Sequence, residues 1–366
     1  MRLILKKILN SALLLMPILI FYVGIIVFVD SANVINKEKV VTKTLEIIET
    51  GKNVSSVDNF NDRLLNLKYI SSLDEAPDTV LLGSSRGKQI TTEMVETNGT
   101  LFNSGVTGAA IEDVVAIYNV YLENELIPKR IIISIDTWFF DINKNETRWK
   151  NNFFGEYNRF VSKYVGKEYE VSKQEMVSAF FKNASEVISP GYFQSSLKSL
   201  QSRQNNSEII EPTDNFSLVD SSVIHIDGSY SYPQSYEFDR SPSSIDERIS
   251  QAEMGILDGF QSWDNIDEFK RLLFERLVDV MIENGSEVQF IISPYNPRIF
   301  DRVSENPEYA IVLECENYLR DFAAERNIMV LGSFDPEKCG IDSDGFIDAL
   351  HISNETTKDF VEPLKK

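Results

Sequence analysis

Three short clusters in this chain carry side chains able to act together on a carbonyl group. Gly83-Ser84-Ser85-Arg86 follows an apolar, β-branched run, Asp78-Thr-Val-Leu-Leu. A serine placed there stands at a strand-to-helix turn, on the carboxyl edge of a sheet, where α/β proteins hold their ligands. Its own N–H, close to a helix start, can face an oxyanion. Asn103-Ser-Gly105-Val-Thr-Gly108 repeats the placement after the next apolar run. A glycine in such a loop lets backbone approach a ligand and present a free N–H. Asp348-Ala-Leu-His351 lies near the C-terminus. Histidine is the usual general base for a serine hydroxyl, and a carboxylate three residues earlier can reach its other ring nitrogen. The chain has only two histidines, so His351 has few rivals as a base; His225 reads as a structural or surface residue. Each cluster taken singly is more often a capped turn or an incidental pair than a site.

Bringing the clusters together requires strands that end at one edge. Short buried-strand signals fall at 78–83, 100–102, 130–135, 287–292 and 328–331. Helical periodicities fall between them, at Ile111–Glu123, Ile266–Glu283 and Pro307–Arg326. Strands alternating with amphipathic helices predict an α/β domain with a mostly parallel sheet covered on both faces. The alternation lapses between about 142 and 259, a stretch rich in Ser, Asn, Tyr and Phe. A structureless loop of that length is improbable in a compact domain, so it reads as an insertion with helices of its own, such as Lys173–Val187. Residues 30–75, with a helix-like stretch at Phe60–Ile70, read as a stalk and lead-in, and the domain as 76–366.

Composition excludes several classes. With 36 Lys+Arg against 56 Asp+Glu among 366 residues, the net charge is −20. Such a surface repels phosphate backbones, and no basic patch offsets it, so no nucleic-acid partner is expected. Two cysteines, Cys315 and Cys339, exclude a cysteine-rich metal centre, and no metal or other cofactor is expected. Asp342-x-Asp344-Gly345 echoes part of a calcium loop but lacks the glutamate at its twelfth position.

The N-terminus suggests a membrane address. An apolar run over 12–29 follows Arg2, Lys6 and Lys7 and is closed by Asp30. Eighteen residues at roughly 1.5 Å each span about 27 Å, close to the hydrocarbon thickness of a bilayer. The positive flank predicts a single-pass signal anchor, with residues 1–11 cytoplasmic and the domain outside; a cleaved signal peptide is the alternative. Outside the cytoplasm the two cysteines are candidates for a disulfide.

The order Gly-x-Ser, Asn-x-x-x-x-Gly, a third block and Asp-x-x-His resembles the SGNH (GDSL-type) hydrolase superfamily, over roughly residues 76–366. The resemblance implies a three-layer α/β/α fold. It implies Ser85 as nucleophile, His351 as base and Asp348 as the residue orienting it. It also implies the N–H groups of Ser85 and Gly108 as oxyanion donors, with Asn103 supporting that loop. The third block departs from the pattern. Where the family has an Asn side chain that donates to the oxyanion, this chain has Asp136, in Ser134-Ile-Asp136-Thr-Trp138. An ionised carboxylate cannot donate, so Asp136 pairs with Arg86, is protonated, or has another role.

The membrane segment, Gly-Ser-Ser-Arg, Asp-x-Trp, the run Asp227-Gly-Ser-Tyr-Ser-Tyr-Pro and Ser293-Pro-Tyr-Asn-Pro297 are together similar to one branch of the superfamily. That branch modifies cell-surface polymers, in the manner of alginate O-acetylation and teichoic-acid D-alanylation proteins. It implies acyl transfer onto a cell-envelope glycan beside a multipass membrane-bound O-acyltransferase. Arg86, Asn103 and Trp138 are then expected near substrate. Trp138, Phe139, Phe140, Trp149, Tyr230 and Tyr232 form a candidate sugar-stacking platform, although such aromatics more often fill a core. An esterase that removes acyl groups and a catalytically silent glycan-binding subunit are the alternatives.

Overall fold

Five runs of β-branched and aliphatic residues pair side by side as strands: β1 (Thr79–Gly83), β2 (Leu101–Asn103), β3 (Arg130–Ile135), β4 (Glu287–Ile292) and β5 (Met329–Gly332). All neighbours are parallel, in the order β2-β1-β3-β4-β5. The structure is a computed structural model that describes residues 16–17, 21–22, 24, 37–55, 60–144, 146–167, 210–214, 220–239 and 241–365. The strand order reverses between β1 and β3, and it is outside such a reversal that an open parallel sheet forms a crevice at its carboxyl edge.

Strand alternation divides the core between the two faces. Val80, Leu82, Ile131, Ile133, Phe290 and Ile292 point to one side. There they pack with α2 (Ile111–Glu123), α4 (Glu268–Glu283) and α6 (Ala310–Glu325), whose Val114, Leu277 and Leu319 are buried. The same core takes in α3 (Pro242–Gln261) and α5 (Pro297–Glu305), through residues such as Ile249 and Ile299. Leu81, Leu101, Ile132 and Ile291 point to the other side, against Ile90, Val95, and Val361 from α7 (Asn354–Val361). Burying an aliphatic side chain of this size stabilises by about 1.5–3 kcal/mol, so both layers hold the sheet rigid. The chain is therefore α/β, with a parallel sheet between a thick and a thin layer.

Several boundaries differ from the sequence expectation. α4 starts at Glu268 because the Asp267 carboxylate caps it, accepting from Lys270 N–H at 2.8 Å. Pro307–Tyr309 forms a separate 3₁₀ turn ahead of α6. The lead-in is not a stalk over its last part. α1 (Asp62–Ser72) has Leu65 and Ile70 buried, and Ile70 lies in the same core as Val80 and Leu82. Asn53–Ser55 pairs antiparallel with Val223–Ile224, which pairs with Tyr230–Ser231.

By contacts the chain divides into Met1–Glu46 with Ser56–Asn61 and Glu170–Glu211, and Ile47–Ser55 with Asp62–Tyr169 and Pro212–Lys366. In the first unit a helix begins at Lys37, and Lys43 Nζ donates to Ile210 O at 2.8 Å. The second unit holds the parallel sheet. Among the described residues no helix is long and apolar enough to cross a membrane. The segment 12–29, apart from Met16, Pro17, Phe21, Tyr22 and Gly24, lies outside the described residues, as does the helix expected at Lys173–Val187. Cys315 and Cys339 are free thiols rather than a disulfide.

Candidate active site

Ser85 owes its position to the backbone before it. Gly83 ends β1 at φ +141, and a Cβ there would overlap the Ser134 carbonyl on β3. Only glycine fits, and the chain turns sharply into the 3₁₀ turn Ser85–Gly87. Ser84 Oγ caps that turn by accepting from Arg86 N–H at 3.3 Å. Ser85 is left half-buried at the carboxyl edge of the sheet.

His351, the expected base, comes from a tight loop after β5. Ile347 N–H donates to His351 O at 2.9 Å and Ser353 N–H to Gly345 O at 2.8 Å, so the loop doubles back on itself. Inside it Asp348 Oδ1 accepts from Leu350 and His351 N–H, both at 2.8 Å. His351 Nδ1 lies 2.9 Å from Asp348 Oδ2 and 3.0 Å from Oδ1, and His351 Nε2 lies 2.9 Å from Ser85 Oγ. The ionised carboxylate accepts only, so Nδ1 carries the hydrogen and Nε2 is free to accept from the serine. Burial pushes the Asp348 carboxyl up, but the His351 charge and ring N–H, with the two backbone N–H groups, outweigh it and bring it to about 2. Ser85, His351 and Asp348 thus meet in one hydrogen-bonded chain.

The loop after β2 runs beside this turn. Ser104 N–H donates to Leu81 O and Val106 N–H to Gly83 O, at 2.8 and 2.9 Å, which extends strand-like pairing to the edge. Thr107 N–H donates to Asp62 on α1 at 2.6 Å, and Gly108 follows at φ +59. Arg63 holds Asp113 through two hydrogen bonds of 2.7 and 2.8 Å, while Asp113 accepts from Ala110 N–H and fixes the start of α2. Among the described residues, the N–H groups of Ser85 and Gly108 donate to no other protein group.

Arg86, expected near substrate, is instead buried and committed. Its Nε donates to Leu350 O at 3.2 Å, and one terminal nitrogen donates to the Ser293 carbonyl and, at 2.7 Å, to Pro294 O. The other meets Asp136 Oδ1 at 3.1 Å, and the guanidinium lies over the Tyr295 ring at 4.4 Å. Residue by residue, Arg86 ties the Ser85 turn to the end of β3, to the loop after β4, and to the residue before His351. Asp136 is fully buried, with Oδ2 unpartnered. Burial raises its carboxyl and the Arg86 charge offsets part of that rise. Its place in the third block is therefore taken up by an ion pair, not by an oxyanion donor.

Asn103, also expected near substrate, is buried and shapes the turn. Its Nδ2 donates to Gly87 and Ile90 carbonyls at 2.9 Å and to Lys88 O at 3.3 Å, while Oδ1 accepts from Gly105 N–H at 3.1 Å. Trp138 is half-buried, with Nε1 donating to Ala109 O at 2.8 Å. Phe139, Phe140 and Trp149 are core residues, whereas Tyr230 and Tyr232 are half-buried. His225 is structural: its Nε2 lies 2.7 Å from Ser231 Oγ within the short hairpin.

The run at 227–236, which the sequence marks only by its family resemblance and its tyrosines, reaches Asp348 and His351. Asp227 O accepts from Asn103 N–H at 2.7 Å, and Gly228, at φ +77, sits where a Cβ would come within 2.6 Å of Asn103 O. Tyr230 N–H donates to Lys88 O at 2.8 Å. So anchored, the run brings the Tyr232 ring to 5.6 Å from the His351 ring, and Tyr236 Oη donates to Asp348 Oδ2 at 3.1 Å. The Asp-Gly turn was visible in the sequence, but nothing in it says which sheet edge the turn meets. Among the described residues no group of His, Cys, Asp and Glu side chains could hold a metal ion. Compared with known proteins, the chain matches no family model and no curated protein sequence.

Proposed function

We propose that this chain is an SGNH-hydrolase-like, serine-dependent acyltransferase, acting outside a membrane on a cell-envelope polysaccharide or related polymer. The observation that carries the reading is the unbroken chain from Ser85 Oγ through the His351 ring to Asp348, at 2.9 Å per link. In this mechanism His351 Nε2 takes the Ser85 proton as Oγ attacks the carbonyl carbon of an acyl donor. The N–H groups of Ser85 and Gly108 receive the oxyanion. The tetrahedral adduct then collapses, and imidazolium returns the proton to the leaving group. A sugar hydroxyl, deprotonated by the same nitrogen, attacks the acyl–serine carbonyl; the ester bond to Oγ breaks, Ser85 Oγ takes the proton back from the imidazolium, and the sugar leaves with the acyl group. The membrane anchor at 12–29 and a multipass membrane-bound O-acyltransferase as donor partner belong to the same proposal and rest on the sequence.

Asp136 favours slow chemistry in the isolated chain. A lost oxyanion donor typically costs about a hundredfold or more in rate, and the Asp136 side chain supplies none. Water as acceptor gives the esterase reading, and loss of the chemistry altogether gives a silent glycan-presenting subunit. Full-length protein treated with a fluorophosphonate probe separates these. Labelling lost in both Ser85→Ala and His351→Ala establishes an activated serine, after which acetyl esters with and without glycan acceptor distinguish transfer from hydrolysis. Folded wild type that stays unlabelled refutes independent catalysis and leaves the silent subunit or a site completed only by the membrane partner.

A further inference from the structure

Asp348 is held from two sides. Its own loop supplies the N–H groups of Leu350 and His351 and the His351 ring, and the fourth hydrogen bond comes from Tyr236 Oη. Tyr236 lies some 110 residues away in sequence, in the inserted stretch, and is itself fixed. Arg248 on α3 lies over its ring at 4.0 Å and donates to both Tyr236 O (2.9 Å) and Ile347 O (3.1 Å). One guanidinium therefore clamps the tyrosine and the aspartate loop together. The neighbouring Glu237 carboxylate accepts from Asn354 N–H at 2.6 Å, just beyond the loop. Tyr232 packs between Tyr236 and the His351 ring, 5.6 Å from each.

We infer that Tyr236 is a positioning residue for the triad: its hydroxyl fixes the Asp348 carboxylate, and through it the His351 ring, so that the insertion is part of the catalytic apparatus. The inference rests on the reading of Ser85, His351 and Asp348 given above. The alternative is that Tyr236 only secures the insertion to the domain. A carboxylate with two oxygens and one loop could rotate about its Cβ–Cγ bond. The Leu350 and His351 N–H groups hold Oδ1, Nδ1 lies within 3.0 Å of both oxygens, and the phenol holds Oδ2. Hydrogen bonds to charged groups are about twice as strong as neutral ones.

The test uses full-length protein and a fluorophosphonate probe. Tyr236→Phe keeps the ring under Arg248 and removes the hydroxyl alone. It is expected to lower the maximal labelling rate about tenfold at unchanged probe affinity, with the melting temperature lowered by only about 5 °C, so that the protein stays folded at the assay temperature. In an Asp348→Asn background, the same substitution is expected to cost nothing further, because its effect passes through the carboxylate. An unchanged rate in Tyr236→Phe overturns the inference, as does an equal loss in both backgrounds. A second readout does not need labelling. The ring-nitrogen chemical shifts of His351, assigned with His351→Gln, are expected to move in Tyr236→Phe, and unmoved shifts overturn the inference. Moved shifts in a protein that is never labelled would support the positioning role while refuting independent acyl transfer, so the two failures are distinguishable.

Discussion

Replacing Arg86 by methionine removes the charge paired with the buried Asp136 carboxylate. The pair is 3.1 Å apart and both side chains are almost fully buried. With an effective dielectric of about 20, that separation corresponds to about 5 kcal/mol of attraction. Breaking one partner of a buried pair costs about 3–5 kcal/mol, since the survivor keeps its desolvation penalty. Asp136 Oδ2 has no partner to compensate. The sign of the pH dependence follows. The Asp136 carboxyl is raised above its ordinary value of 3.8 by burial, which the Arg86 charge partly offsets, so the folded state holds a proton more readily than the unfolded one above that pH. Stability from this group therefore falls as pH rises through that window, and without Arg86 the window widens upward. Arg86→Met is expected to lower the melting temperature by roughly 10 °C at pH 8 and by clearly less at pH 5. Arg86→Met with Asp136→Asn should recover only the pH-dependent part of the loss at pH 8, because the carbonyls of Leu350, Ser293 and Pro294 stay without the donor Arg86 gave them. Thermal melts of four proteins (wild type, both singles and the double) at the two pH values check this. A single variant as stable as wild type at pH 8, or a double no better than Arg86→Met, refutes the reasoning.

Other consequences can be measured alongside. The Asp348 carboxyl, brought from 3.8 to about 2, gives stability that is complete above about pH 4 and lost as pH falls towards 2. The gap between wild type and Asp348→Asn, on the order of 2 kcal/mol at pH 6 in urea unfolding, should close over that interval, and a constant gap contradicts it. Asn103→Asp exchanges a donor to three carbonyls for an acceptor facing them. We expect a loss of about 3 kcal/mol or more, with Asn103→Ala milder, by the same unfolding measurement. Gly228→Ala places a methyl within 2.6 Å of Asn103 O at a positive φ. It should release the 227–236 run, exposing it to limited proteolysis and slowing serine labelling as Tyr236→Phe does; wild-type protease resistance would argue against that anchoring.

Periodicity alone located the sheet. The run Arg130–Ile135 is a strand over all six residues because a parallel central strand must be apolar on both faces, and Ile111–Glu123 is a helix buried in the same core. The catalytic candidates were also legible, since Gly83 and Ser85 sit at a strand end and Asp348 and His351 share a three-residue spacing that residue type marks. Less legible was what charged and amide side chains do once the edges converge. Arg86 and Asn103 looked like groups for a substrate, and Asp136 like an oxyanion position or a partner of Arg86, but a parallel sheet gathers at its carboxyl edge backbone carbonyls that need donors. Arg86 and Asn103 supply those donors.

The amino-acid sequence by itself determined the class of fold and the residue types of the triad, because both are local: strand alternation, helix periodicity and glycine-bounded turns depend on neighbours a few residues apart. Tertiary structure decided three things that depend on distant segments meeting. Asp136 became the buried partner of Arg86, Cys315 and Cys339 stayed apart as free thiols, and the run at 227–236 was laid across the Ser85 turn to bring a phenol to Asp348. Desolvation and hydrogen-bond satisfaction settle such contacts, and both are properties of the packed interior rather than of any local stretch of chain.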